Sequence, residues 1–475
     1  MSYGFLIAAA IVAVSSLGIF VIEAARSRFR AFDTFSVFLV IYLLQVLAPS
    51  GVIFLILAFR GIEGVQVGNP FFDRVYNAAS ASDALIMGAF STIFLALAFI
   101  VFRAMCGASM ARIRPAKLTL RIAPWRLRGL VAIGIALDLV LVFSLSSDGS
   151  IIDGYRNLIR FRTLAPEIER TALTANLFAL TQTFLLLGFL GLFLPSRGRF
   201  RGLRFLFWCG VVILLGLACA SRRSILIPPI LFLFACLLAG RVARVWHVAL
   251  LGAIGGVVIF GGKQALSHIG GQTSTFIVPV RSPAENMLYL ASDIGISSVE
   301  SLGTIALAEM PPRVGVDHAL SIARRVPEGA LGFEDPFPAR IVRYTTEIFV
   351  DADAADVPPG FIGMMWLDFR WFGPAIYGVA CGLLLGLLER VRRLFVIDLQ
   401  ASAIFAVILF VALLPINTGS LDYSFSVDII ALTILLPSVI CIIRLRSETG
   451  SMDGRGHDSG RDGGSGVTHP LRVTE

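Results

Sequence analysis

Long apolar runs separated by short polar segments dominate this chain. A helix needs ~20 apolar residues to cross a bilayer, and on that measure eleven spans are expected. They lie near 3–24, 34–59, 82–102, 129–146, 173–195, 205–220, 224–240, 247–262, 363–388, 396–416 and 426–445, and ten to thirteen spans fit the pattern. Run 34–59 is interrupted at Pro49 and Gly51. Run 358–388 carries Asp368 and Arg370, so its first part is expected to be re-entrant or interfacial. The expected fold is an all-α polytopic membrane bundle. No internal repeat is visible, which argues against transporter folds built from inverted repeats.

The charges between the runs predict an orientation. Segments 25–32, 103–128, 196–204, 241–247 and 389–394 hold nineteen Lys and Arg, and the opposing short segments 60–81, 147–172, 221–223 and 417–425 hold eight. Cytoplasmic loops carry the excess of Lys and Arg, so the first set is expected to be cytoplasmic. The amino terminus is then external and the carboxyl terminus cytoplasmic. The first apolar run has no basic residue before it and reads as a retained helix rather than a cleavable signal.

Three regions are expected outside the bilayer. The largest, 263–357, is a long external loop with seven basic residues against twelve acids. Structureless loops of that length are uncommon and usually functional. Segment 147–172 is also external. The Gly-, Ser-, Asp- and Arg-rich tail 447–475 is expected to be a disordered cytoplasmic extension of a single membrane domain, 1–446.

Composition narrows the function classes. Of 475 residues 56% are hydrophobic, with a mean hydropathy of +0.83, which excludes a soluble globular protein. The net charge of +8 does not signal nucleic-acid binding, because the arginines sit in short loops between apolar runs. The six cysteines lie in or beside the spans, with no metal-ligand spacing and no disulfide framework. They read as small packing residues.

Arg222 and Arg223 are the sharpest chemical feature. They fall between two spans with no loop on either side, on the face where basic residues are scarce. Either they snorkel to lipid headgroups, or they bind a phosphate or diphosphate through bidentate hydrogen bonds. Pro228 and Pro229 are expected to break the following helix. Arg156 and Arg160, at i and i+4, share a helix face. They belong either to an interfacial amphipathic helix or to a second cationic wall of an anion site.

In the long loop, Arg281, Arg313, Asp317, Arg324, Arg325, Arg340, Arg343, Tyr344 and Glu347 are solvated charges or sugar-binding groups. Arg340, Arg343 and Glu347 share one face if that stretch is helical. His268 and His318, expected outside, are possible general bases. Asp138 and Asp428 lie within spans, where a carboxylate is neutral, paired with an arginine, or part of a proton path. Asp351 and Asp353 form an acidic pair without a third ligand, so no metal or other cofactor is expected.

The layout resembles the Wzy-type polysaccharide repeat-unit polymerases of bacterial inner membranes, which share a superfamily with WaaL-type O-antigen ligases. The resemblance rests on three features: the turn Ala220-Ser221-Arg222-Arg223-Ser224 ahead of a long external loop, the re-entry through Pro358-Pro359-Gly360-Phe361-Ile362-Gly363, and the run Asp368-Phe369-Arg370-Trp371-Phe372-Gly373-Pro374 leading into a Gly-rich helix. The loop lacks the paired arginine–glycine motifs that some members carry.

The resemblance implies a GT-C-like, metal-independent glycosyltransferase of the inner membrane, with its active site facing the periplasm. It would polymerise undecaprenyl-diphosphate-linked glycans for O-antigen, capsule or exopolysaccharide, alongside a flippase and a chain-length regulator. Arg222, Arg223, Arg156, Arg160, Arg340, Arg343 and Tyr344 would bind substrate, and Glu347 or His318 would serve as catalytic base. A ligase-type glycan transferase and a flippase of lipid-linked glycans are the alternatives.

Overall fold

The structure, a computed structural model, describes residues 3–27, 32–60, 70–106, 118–162, 171–195, 201–220, 222–241, 283–323, 358–419 and 441–445, with residues 269, 345 and 432. Among the described residues six helical stretches are long and apolar enough to cross a membrane: Tyr3–Glu23, Thr34–Arg60, Ala81–Cys106, Pro124–Ser144, Leu173–Gly191 and, with an interruption, Phe361–Arg393. Gly202–Ala218, Ser224–Leu238, Ile296–Leu307 and Leu399–Ala412 are shorter apolar helices. Many of their large side chains point outward, including Leu203, Leu206, Phe207 and Ile213. Such a continuous apolar surface is untenable in water and suits lipid. The chain is thus a mostly helical membrane protein.

Nine of the eleven expected spans fall on helices. The run 247–262 lies outside the described residues, as do most of 426–445 and the tail 447–475. The last expected span is corrected at its end. Cys441–Leu445 is a strand, β2, paired antiparallel with β1, Leu118–Ile122. The backbone of Leu118 also bonds to Leu394 and Val396 (3.2 and 2.8 Å). Cys441–Leu445 therefore bonds to a neighbouring strand rather than continuing a helix.

Run 34–59 is one continuous path, not a broken one. Helix α2 (Thr34–Tyr42) passes through a π-helical turn, Leu43–Leu47, into α3 (Ala48–Arg60). Pro49 offers no N–H to Gln45 and its ring would collide with that carbonyl, so the turn before it widens. A serine hydroxyl from another helix, Ser298, donates to the Val46 carbonyl at 3.1 Å.

The tightest pairing runs between α5 (Ala81–Cys106) and a later helix, α15 (Gly373–Arg393). Gly378, Gly382 and Gly386 recur every fourth residue, and a Cβ on them would lie 2.9 Å from Phe94 O, 2.7 Å from Ala98 O and 2.5 Å from Met105 Cβ. Small residues at this spacing let membrane helices approach backbone to backbone, where packing and not hydrophobicity drives association.

The expected external loop is partly interior. Among its described residues are three helices: α11 (Pro283–Ile294), α12 (Ile296–Leu307) and α13 (Val316–Ala323). Every residue from Ser297 to Ile305 is buried. Helix α12 packs on α4 (Pro70–Ala78), on α5 and on α14 (Phe361–Phe369). Its hydroxyls meet backbone groups that lack helical partners, so a serine-rich helix survives inside an apolar bundle.

Segments assigned to the basic face converge at one end. Glu389 accepts from Thr34 N (3.2 Å) and from the guanidiniums of Arg392 and Arg393 (both 2.9 Å). Arg390 donates to Met105 O, Arg392 to Leu238 O, and Gln400 to Phe193 O. At the opposite end Arg60 pairs with Glu285 (2.6 Å) and Tyr76 meets Ser292. This grouping of loops is the one that the charge count predicts.

Candidate functional site

The first site forms where α14 ends. Its first backbone donors are satisfied by α12: Ser297 Oγ accepts from Phe361 N and Ser301 Oγ from Ile362 N, both at 3.1 Å. Gly360 has φ 71°, and a Cβ there would lie 2.3 Å from Ser297 O, so only glycine fits this entry. Nine residues on, the helix stops. Arg370 takes φ 50°, a short 3-10 turn follows over Arg370–Phe372, and α15 begins at Gly373-Pro374.

The segment before α13 seals this break. Arg313 N and Val314 N donate to the carbonyls of Leu367 (3.0 Å) and Asp368 (2.9 Å), which the end of α14 leaves without helical donors. Val314 and Gly315 follow in left-handed conformations, φ 55° and 73°. The Arg370 guanidinium lies over the Trp366 ring at 4.9 Å and donates to Met310 O. Arg313 and Asp317, both buried, form an ion pair, Nη2 to Oδ1 at 2.8 Å.

This framework brings three titratable groups together. Asp368 is fully buried, and its Oδ2 accepts from the Tyr377 hydroxyl. His318 Nε2 lies 3.2 Å from the same Oδ2 and also meets the Tyr377 oxygen. Tyr377 has one proton and gives it to Asp368, so the proton of the His–Tyr contact comes from Nε2. Nδ1 of a neutral His318 then carries the lone pair. Nδ1 of His318 and Oδ1 of Asp368 are buried and have no hydrogen-bond partner among the described residues. An imidazole held by a carboxylate through one nitrogen, with the other unpaired, is the arrangement of a general base.

The second site is the arginine turn. Helix α9 (Arg201–Ala218) is followed by a turn at Ala220, which is buried with φ 45°, and α10 (Arg222–Leu238) opens at Arg222. Ala220 packs in one cluster with Leu158 and Ile159 of α7 (Ile151–Arg162). Helix α7 lies across α6 (Pro124–Ser144), where a Cβ on Gly154 would be 2.1 Å from Val142 O. The helix carrying Arg156 and Arg160 is thereby brought to the turn carrying Arg222 and Arg223. Arg156 Nε donates to Ile269 O at 3.3 Å. Contrary to expectation, α10 runs unbroken through Pro228 and Pro229. They are its seventh and eighth residues, and each forgoes the bond to the carbonyl four residues back, of Ser224 and Ile225, without ending the helix.

The entry to α7 is fixed by serines. Asp153 accepts from Ser147 N and Ser147 Oγ, both at 2.8 Å, and Asp148 from Ser150 N at 2.8 Å. These backbone hydrogen bonds hold both carboxyls below the usual range.

The remaining expected residues distribute as follows. Glu347, Arg340, Arg343, Tyr344, His268, Asp351, Asp353 and Asp428 lie outside the described residues. Asp138 is buried in α6, and its Oδ2 has no hydrogen-bond partner among them. Tyr377 is the group that the sequence hides: it lies nine residues beyond Asp368 and across the helix break. No family model, curated protein or solved structure matches the chain.

Proposed function

We propose that this protein is a metal-independent glycosyltransferase that polymerises polyprenyl-diphosphate-linked glycan units at the external face of a bacterial inner membrane. The observation that carries the reading is His318, oriented by buried Asp368 and Tyr377, with Nδ1 unpaired among the described residues. In the reaction an acceptor-sugar hydroxyl attacks the anomeric carbon of the donor chain. The new glycosidic C–O bond forms as the anomeric carbon–diphosphate bond breaks. The hydroxyl proton passes to His318 Nδ1, and polyprenyl diphosphate leaves.

The leaving group needs its charge neutralised. Arg222 and Arg223 stand in the first turn of α10, where the helix dipole is positive. Two cations at that end repel the dipole unless an anion joins them. The adjoining α7 adds Arg156 and Arg160. A diphosphate is the anion whose geometry matches several guanidiniums at once.

The test is reconstitution. Purified protein in liposomes, given polyprenyl-diphosphate-linked glycan repeats and chelator, should yield longer lipid-linked chains and one released polyprenyl diphosphate per bond. Transbilayer movement of the substrate without elongation would overturn the reading in favour of a flippase. Recovery of elongation only on adding a divalent cation would overturn its metal-independent form.

A further inference from the structure

A cleft lies at the far ends of α9 and α10 from the arginine turn. It has a volume of about 370 Å³ and forms between the end of α8 (Ala172–Gly191), the start of α9 and the end of α10. Its apolar wall is Phe205, Trp208 and Phe232, and its rim carries Arg204 and Arg241. The wall is built, not incidental. Trp208 is buried against Gly191, where a Cβ would fall 2.1 Å from the indole, and Phe232 stacks on Phe193 at 5.5 Å.

The charges of this cleft are unbalanced. Arg204 donates to Pro195 O at 2.7 Å, and Arg128 is close enough to act on it as a like charge. Among the described residues no carboxylate pairs with Arg204, Arg241 or Arg128. The nearest acid along the lining chain, Asp398, is already engaged by Arg121 at 2.8 Å and caps Ala401 N. A cleft with cations at its rim and an aromatic wall beneath them fits an amphiphile with an anionic head and an apolar tail. On the expected cytoplasmic face that chemistry is present in the bilayer itself, because basic pockets between helices there take anionic headgroups.

We propose that this cleft binds an anionic glycerophospholipid, its phosphodiester between Arg204 and Arg241 and an acyl chain along Phe205, Trp208 and Phe232. Polyprenyl phosphate shares the head chemistry. The glycerophospholipid is the occupant because it is the abundant anionic amphiphile of that leaflet.

The full chain, purified in detergent, would be titrated with phosphatidylglycerol, with phosphatidylcholine of the same chains, and with undecaprenyl phosphate. Thermal stability and native mass spectrometry would read binding. Phosphatidylglycerol should raise the melting temperature and stay bound, and phosphatidylcholine should do neither. Losing one charge-assisted contact should weaken binding about tenfold, so R241Q should show that loss and R204Q/R241Q a larger one. High salt should weaken the preference in the unmodified protein, which keeps the test open if the double variant misfolds. Equal stabilisation by phosphatidylcholine, an undiminished preference in a monodisperse double variant, or stabilisation by undecaprenyl phosphate alone would each overturn the assignment. None of these outcomes depends on the glycosyltransferase reading.

Discussion

The Asp368→Asn variant separates a catalytic cluster from a structural one. The amide has nearly the carboxylate's volume, and its oxygen can still accept from Tyr377. The change that matters falls on His318. Tyr377 and Nε2 meet the same atom, Oδ2, so an amide oxygen kept there for Tyr377 also faces Nε2, but without a charge. The negative charge that would stabilise His318 as it takes the acceptor hydroxyl's proton is lost. For stability the cost is about 1–3 kcal/mol, the worth of a charge-assisted hydrogen bond in a buried site. For turnover, removing general-base help costs ~10²–10⁴ in rate, which converts to about 3–5 kcal/mol at 1.36 kcal/mol per tenfold. The two effects therefore differ by enough to be told apart.

The assay is elongation per mole of folded protein in liposomes, with melting temperature measured on the same preparation. His318→Gln should lose as much activity. The double variant D368N/H318Q should lose no more than H318Q, because groups acting as one unit are not additive. If D368N elongates at the parental rate per folded molecule and only its melting temperature falls, the cluster holds the α14–α15 break and the assigned base is wrong.

Replacing both Arg222 and Arg223 by Lys keeps the charge and removes the planar fork, and should cost ~10²–10³ in elongation rate; parental polymer at normal membrane abundance would leave headgroup anchoring as their role. Thr119 and Arg444 are paired across β1 and β2, so T119C/R444C in an otherwise Cys-free chain should cross-link under mild oxidation. If both cysteines label with a thiol reagent yet never join, the strand pairing is refuted. The lowered Asp153 carboxyl contributes stability that is present above the unfolded value and lost as pH falls through the folded one. D153N should thus melt earlier than the parent at neutral pH and equal it in acid. A difference that persists unchanged in acid would exclude the Ser147–Asp153 bond as its source.

Much of the helical frame is legible from apolar run length alone, because every spanning backbone must satisfy its own hydrogen bonds and leave apolar side chains outward. The grouping of the basic loops at one end is legible for a related reason. What escapes is set by contacts distant in sequence. Cys441–Leu445 is as apolar as the residues before it, and nothing local distinguishes a strand there. Its partner, Leu118–Ile122, lies more than 300 residues away. Pro49 signals a disturbance correctly, but the chain absorbs it in a π turn one step earlier. In α10 the two prolines each forgo one backbone bond, and the helix continues through them.

The hardest element to read is α12, and the reason bears directly on the site. Ser297, Ser298, Glu300, Ser301 and Thr304 make it look like loop, yet all five are buried. Its polarity is explained by the chain that meets it. Helix α14 begins inside the bundle, where water cannot satisfy its first donors, and Ser297 and Ser301 supply the acceptors. Thr304 donates to Pro359 O at 2.9 Å on the way in. A half-helix that starts in the interior can also end there, and its terminal carbonyls then need donors as well. Arg313 N and Val314 N provide them, which draws the segment before α13 onto the helix end and sets His318 against Asp368. The serines that hide α12 in the sequence and the meeting of His318 with Asp368 thus share one cause, a helix that both begins and ends within the protein.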